Sequence, residues 1–255
     1  MKEFQYNFSD NNHSMYDKDL RLNKAKKTLA VLNDYLGDLS NLKLLDIGCS
    51  SGIMTYEYSK YFKNVTGIDL DDKAVKFAKQ NKQSHNIEYF AGPIEESNFG
   101  NEIYDVITCS HIYEHVPSSN DLMDKIYQLL KPGGVCYFAA GNRFNLNIIE
   151  AHYKLPFLSF LPKKLANIYI SIFREENRYY ETHLSLTKLR KLVSRFDVED
   201  YSLKIIKQPS RFHATDMLLE NTLKYYLSNF LGKAFYYFFP TYVWILKKRY
   251  DDKVI

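Results

Sequence analysis

Cysteine is scarce in this chain. Its three, Cys49, Cys109 and Cys136, form no CxxC pair and are odd in number. Neither a zinc ribbon nor a disulfide framework is therefore expected, and a reduced, cytoplasmic setting fits best. Long apolar runs are also missing. The nearest, "AFYYFFPTYVWIL" (234–246), is short of the roughly 18 residues a membrane span needs and is interrupted by Pro240. The opening "MKEFQYNFSDNNHSMYDKD" is polar throughout, unlike a secretory leader. Charge of one sign is weak: the net charge is +4, and the densest basic run is Lys247-Lys248-Arg249. That argues against nucleic acid as a partner. No internal repeat or low-complexity segment is present, and no N-P-P-Y-type amine site.

What remains is an ordinary globular composition, 45% hydrophobic and 25% charged, in a chain of 255 residues. Leu29, Val31, Leu32 and Leu36 give helical spacing that ends near Gly37. After it, short apolar runs alternate with amphipathic helices. Strands are expected at 42–48, 64–70, 87–92, 104–110 and 134–142. Helices are expected at 51–63, from Asp71 or Asp72 onward, and at 119–131, the last closed by Pro132-Gly133-Gly134. Such alternation predicts an α/β fold with a doubly wound, largely parallel sheet. Beyond 143 the pattern turns helical and aromatic, with Leu165, Ile168, Tyr169, Ile172 and Phe173 on one face. A helix at 185–196 capped by Ser185, a strand at 201–208, a helical stretch at 216–239 and a strand at 241–249 complete the chain.

"LLDIGCSSG" (44–52) admits two interpretations. As G-x-S-x-G it is a nucleophile elbow, with Ser50 attacking and Asp105 and His183 following in hydrolase order. As Asp46-x-Gly48-x-x-x-Gly52 it is a ligand-binding turn whose glycines let backbone approach and whose helix supplies N–H donors. The turn follows the first sheet strand, and Asp69 ends the next, 23 residues after Asp46. A carboxylate there can accept from both hydroxyls of a ribose. Both facts favour the binding turn.

With "VTGIDLD", "YDVITCSHIYEHVP" and "LLKPGGVCYFAAGN", these residues resemble the class I S-adenosylmethionine (SAM)-dependent methyltransferases, of the type 11 and ubiquinone-biosynthesis O-methyltransferase group. The resemblance covers about 42–142. It implies a Rossmann-like, seven-stranded sheet with helical lid insertions and SAM as cofactor. The implied segments are a helical lead (1–40), a SAM-binding core (41–142), a helical lid (143–184) and the end of the sheet (185–255) with a helical insertion at about 212–239. It also implies that Gly48, Cys49, Ser50 and Gly52 wrap the methionyl end, with Asp46 beneath its ammonium. Asp69 binds the ribose, Leu70, Pro93 and Ile94 border the adenine, and Ser110 faces the methionyl group. Ser50 replaces a usual glycine and disfavours positive φ. Pro93 replaces an aspartate, and Glu95 or Glu96 could supply the missing acceptor. The acceptor is expected to be a small-molecule, glycan or lipid-like hydroxyl. Nucleic-acid or protein methylation and a non-catalytic SAM-binding protein are the alternatives.

A hydroxyl acceptor calls for a general base. His111 follows the fourth strand, at the sheet edge where ligands bind, and His152 lies in a segment able to cover the site. "HIYEH" also matches the H-x-x-E-H signature of inverted zincins, but Pro117 leaves room for one helical turn at most. A protease is therefore not expected. Glu114 and His115 stay as weak divalent-metal ligands. Ten aromatics fall between 225 and 244. They suit a greasy acceptor or peripheral membrane contact; the plainer expectation is that they bury one another in a small helical core.

Overall fold

The computed structural model describes residues 4, 6, 13–82, 84–144, 153–174 and 179–250. Seven strands form one sheet: β1 (Lys43–Ile47), β2 (Asn64–Asp69), β3 (Ile87–Ala91), β4 (Tyr104–Ser110), β5 (Leu130–Gly141), β6 (Phe196–Asp200) and β7 (Thr241–Lys248). Their spatial order is β3-β2-β1-β4-β5-β7-β6. Strands β1 to β5 pair in parallel, and β7 runs antiparallel to both β5 and β6. The order reverses between β1 and β4. That reversal opens a crevice at the carboxyl ends of these strands, where doubly wound sheets take their ligands.

The eight helices among the described residues are α1 (Lys18–Leu36), α2 (Ile53–Ser59), α3 (Asp72–Gln80), α4 (Ser119–Leu129), α5 (Lys163–Phe173), α6 (Leu186–Leu192), α7 (Ser202–Lys207) and α8 (Leu223–Leu231). Local chemistry sets several of their ends. Asp17 accepts from the Leu20 N–H to cap α1, and Gly37 ends it with φ +75°. Asp71 caps α3 by accepting from Lys73 and Ala74, and Ser118 caps α4. Two core layers flank the sheet. One is built on Leu45, Ile107, Phe138 and Trp244, with Leu122 and Ile126 of α4 packed against them. The other joins Leu44, Val106, Tyr137 and Ile245 to Leu29 and Leu32 of α1.

The structure departs from the sequence expectations in four places. The stretch 201–208 is helix α7, and the strand that precedes it, β6, is "FDVED". Only Phe196 of β6 is buried, because the strand lies at the sheet edge, so it carries no apolar run to reveal it. Strand β5 starts at Leu130, ahead of Pro132-Gly133-Gly134, with its pairing to β4 irregular between Tyr104 and Val106. Helix α5 buries Ala166 and Ile170, while Leu165, Ile168, Ile172 and Phe173 stand exposed. Helix α8 buries none of its residues, so its aromatics do not make a self-contained core.

Candidate active site

The crevice above β1, β2 and β4 widens into a cavity of about 860 Å³. Its wall includes Asp46, Gly48, Ser50, Asp69, Leu70, Pro93, Ile94, Ser110, His111 and His115, each expected from the sequence. Cys49 and Gly52 do not line it. The Cys49 thiol is buried in the core beside α1, and burial pushes its pKa well up. Gly52 is a packing glycine: a Cβ there would lie 2.6 Å from Tyr89 Oη and 2.8 Å from Ala78 Cβ. His152 lies outside the described residues.

The glycine turn is built by hydrogen bonds to its neighbours. Gly48 takes φ +79°, and a Cβ there would meet Ile112 Cδ1 at 2.2 Å. The Gly48 and Cys49 N–H groups both donate to the Ile68 carbonyl. Ser50 adopts φ +49° despite its side chain, at a cost of about 1 kcal/mol. Its N–H donates to Asp69 Oδ2 at 2.8 Å, while the Asp71 N–H donates to Asp69 Oδ1 at 2.9 Å. Each Asp69 oxygen keeps a second lone pair for a ligand hydroxyl. Burial raises the Asp69 pKa, opposed by these two N–H donors.

Asp46 sits beneath the turn, and both its oxygens are engaged. Thr55 Oγ1 donates to Oδ2 at 2.7 Å and Thr108 Oγ1 donates to Oδ1 at 2.6 Å. Burial raises its pKa, and the two hydroxyls pull against that rise. Neither threonine was singled out from the sequence. A hydroxyl amid the apolar strand "YDVITCS" was the available signal.

Three further cavity residues were also missed or left open. Arg21 on α1 is 8% exposed, lines the cavity, and its buried Nε has no hydrogen-bond partner. Lys24, one turn on, lines it too, with its pKa lowered first by burial and then by the Arg21 and Lys27 charges. Glu95 holds both carboxylate oxygens buried without a partner, and burial raises its pKa. Glu96 is exposed and lies off the wall. Phe4, Ser14 and Met15 approach from the N-terminal side, and Ser51 Oγ donates to the Met15 carbonyl at 2.6 Å.

"HIYEH" forms a single turn, closed by the His115 N–H donating to the Ile112 carbonyl. His111 takes φ +56°. Its Nδ1 lies 3.1 Å from Glu114 Oε1; the imidazole is 45% exposed and the carboxylate fully buried. Burial would raise the Glu114 pKa. The His111 hydrogen bond, with the charges of His111, His115 and His183, outweighs it and holds the carboxyl at about 2. His115 turns instead toward Glu181, Nδ1 to Oε1 3.8 Å. No group of three or more His, Cys, Asp or Glu among the described residues could hold a metal ion, so Glu114 and His115 form no such cluster.

The hydrolase alternative fails on geometry. Asp105 sits at the start of β4, accepting from the Lys43 N–H at 2.9 Å and pairing with Lys131. His183 lies beside Gly141 at the far end of β5. About 17 Å of strand, five residues at ~3.3 Å each, separates Asp105 from the carboxyl edge where Ser50 lies.

Residues 45–138 match the family model described as "Methyltransferase domain". The chain is 35% identical over 136 residues to a ubiquinone biosynthesis O-methyltransferase of Bordetella avium, a match covering 50% of this chain and 56% of that protein. It thus spans little more than half the length of the curated relatives it matches. Among solved structures, the YcgJ protein of Bacillus subtilis superposes with a TM-score of 0.55 at 16% identity, over 88% of this chain and 98% of that one. A phosphoethanolamine N-methyltransferase 2 of Haemonchus contortus, solved with phosphomonomethylethanolamine and S-adenosylhomocysteine, gives 0.54 at 16% identity, over 88% and 52%. These likenesses confirm the Rossmann-like α/β fold with its seven-stranded sheet.

Proposed function

We propose that this chain, whose residues 45–138 match the family model described as "Methyltransferase domain", is a class I SAM-dependent methyltransferase that moves a methyl group from SAM to a hydroxyl, or similar nucleophile, of a small-molecule, glycan or lipid-like acceptor. The observation that carries the proposal is one cavity in which Arg21, Asp69 and Glu95 meet His111.

The residues fit the cofactor. A cavity of about 860 Å³ lies within the usual 300–1,000 Å³ of small-ligand sites. Asp69, with two lone pairs left over, suits a ribose diol. Arg21, with its orphaned Nε, and Lys24 suit the methionyl carboxylate, and Gly48 leaves room for backbone to approach. Leu70 and Ile94 offer apolar walls for adenine. Glu95 is placed two residues after Pro93 and stands in for the aspartate that Pro93 replaces, accepting from the adenine amine. Asp46, held by the Thr55 and Thr108 hydroxyls on its two oxygens, acts as a fixed negative charge near the methionyl ammonium.

When bound, SAM supplies an activated sulfonium methyl open to in-line displacement, so the protein's task is chiefly alignment. Glu114 accepts from His111 Nδ1–H and holds the tautomer that leaves Nε2 free to take the acceptor's hydroxyl proton. His111 holds a left-handed φ of +56° and lines the cavity.

The test is tritiated methyl transfer from SAM into an extract separated into lipid, small-molecule, protein and nucleic-acid fractions. Label in the lipid or small-molecule fraction is expected. Label confined to protein or nucleic acid would overturn the acceptor class.

A further inference from the structure

The apolar surface of α5 and α8 is not explained by the fold. On α8, Leu223, Tyr226, Leu227 and Phe230 follow helical i, i+3, i+4, i+7 spacing, and all are 48–84% exposed. On α5, Leu165, Ile168, Ile172 and Phe173 form a second stripe, 53–67% exposed. The two elements are joined: the Phe144 ring stacks on Tyr237, just past α8, at 6.3 Å, and packs on Phe160, just before α5, at 5.7 Å. Isolated exposed apolar residues need no explanation, but two helical stripes linked through the Phe144 ring do.

We infer that these two stripes seat the protein on an anionic lipid bilayer, lying in the interface plane. Charge selects this occupant. Residues 221–239 carry Lys224 and Lys233 and no acid; residues 157–174 carry Lys163, Lys164 and Arg174 and no acid. Lys164, Lys224 and Lys233 are exposed beside the apolar residues. Acids stand only at the ends of these segments, Glu220 before the first and Glu175 and Glu176 after the second; an apolar face flanked by lysines complements anionic headgroups and acyl chains together. Against a second copy of the chain, the same lysines would meet like charge. Tyr226 and Tyr237, both exposed, have the amphipathic rings that settle at a headgroup boundary. The face also adjoins the cavity. Tyr153, in the wall, shares a core with Ala166 and Ile170 on the inner side of α5. Bilayer contact would therefore set the cavity mouth near the membrane. No helix among the described residues is long and apolar enough to cross one, so contact is with the surface.

The inference does not depend on methyl transfer, because the experiment reads lipid binding by the full chain. Flotation is measured with phosphatidylcholine vesicles and with vesicles containing 30% phosphatidylglycerol (~30%, a charge density high enough to attract basic segments). Binding to the anionic vesicles alone is expected, weakening with salt. The double variant L227S/F230S should lose at least about tenfold in partitioning, and K224E/K233E a similar amount, with SAM affinity and melting temperature unchanged in both. Three results would overturn the inference: no flotation with either vesicle, equal flotation of the double variants, or a dimer in sedimentation equilibrium that L227S/F230S dissolves.

Discussion

His111 Nδ1 and Glu114 Oε1 lie 3.1 Å apart across one turn, an exposed imidazole held by a fully buried carboxylate. The arrangement would orient His111, the proposed base, without burying it. The ring can reach a ligand in the cavity, and its partner cannot turn away to solvent.

His111→Asn is the substitution that isolates this role, since asparagine tolerates the φ of +56° that alanine would resist. Turnover is expected to fall by roughly 10² to 10⁴, the usual worth of a general base, with the SAM dissociation constant held within about threefold. Transfer kinetics beside calorimetry measure both. Unchanged turnover would reduce His111 to packing.

Glu114 links the site to stability. Its carboxyl is ordinary at 4.5 when unfolded and held at about 2 when folded. A depressed carboxylate contributes stability that is complete above pH 4.5 and is lost as pH falls toward 2. At about 1.4 kcal/mol per tenfold in proton affinity, the contribution is on the order of 3 kcal/mol. Glu114→Gln should lower unfolding free energy at pH 7 and flatten its fall between pH 4.5 and 2, read by urea unfolding at several pH values. Parallel pH profiles for variant and wild type would refute the assignment.

Ser50 holds a left-handed conformation for the sake of its N–H bond to Asp69. Ser50→Gly should be close to neutral, within about 0.5 kcal/mol, because relief of strain offsets the entropy glycine gains when unfolded. Ser50→Val should cost more than about 1.5 kcal/mol, since β-branched residues resist positive φ. Urea midpoints decide, and equal midpoints for the two variants would contradict the strain.

The parallel half of the sheet was legible because its central strands β1, β4 and β5 are largely buried and read as apolar runs, and because Asp46, Gly48 and Asp69 fall at fixed places along it. The edge was not. "FDVED" hides its register in exposed positions, while "SLKII" offers an apolar pattern that suits strand or helix equally. The cavity was legible where a residue belongs to a turn. Arg21 was not, because it reaches the cavity from a helix 27 residues before Gly48, and only packing brings the two together. Thr55 and Thr108 escaped for the same reason, their partner Asp46 being 9 and 62 residues away in the chain. The apolar stripes of α5 and α8 were seen as periodicity, but periodicity does not say whether a partner covers them.

The central claim is that the cavity bounded by Arg21 and Asp69 holds SAM. Titration calorimetry of the full chain tests it most directly. Wild type should bind one SAM per chain with a micromolar dissociation constant, about −8 kcal/mol. Arg21→Met and Asp69→Asn should each weaken it at least about tenfold, or 1.4 kcal/mol. No heat at millimolar SAM, or full affinity in both variants, would contradict the account.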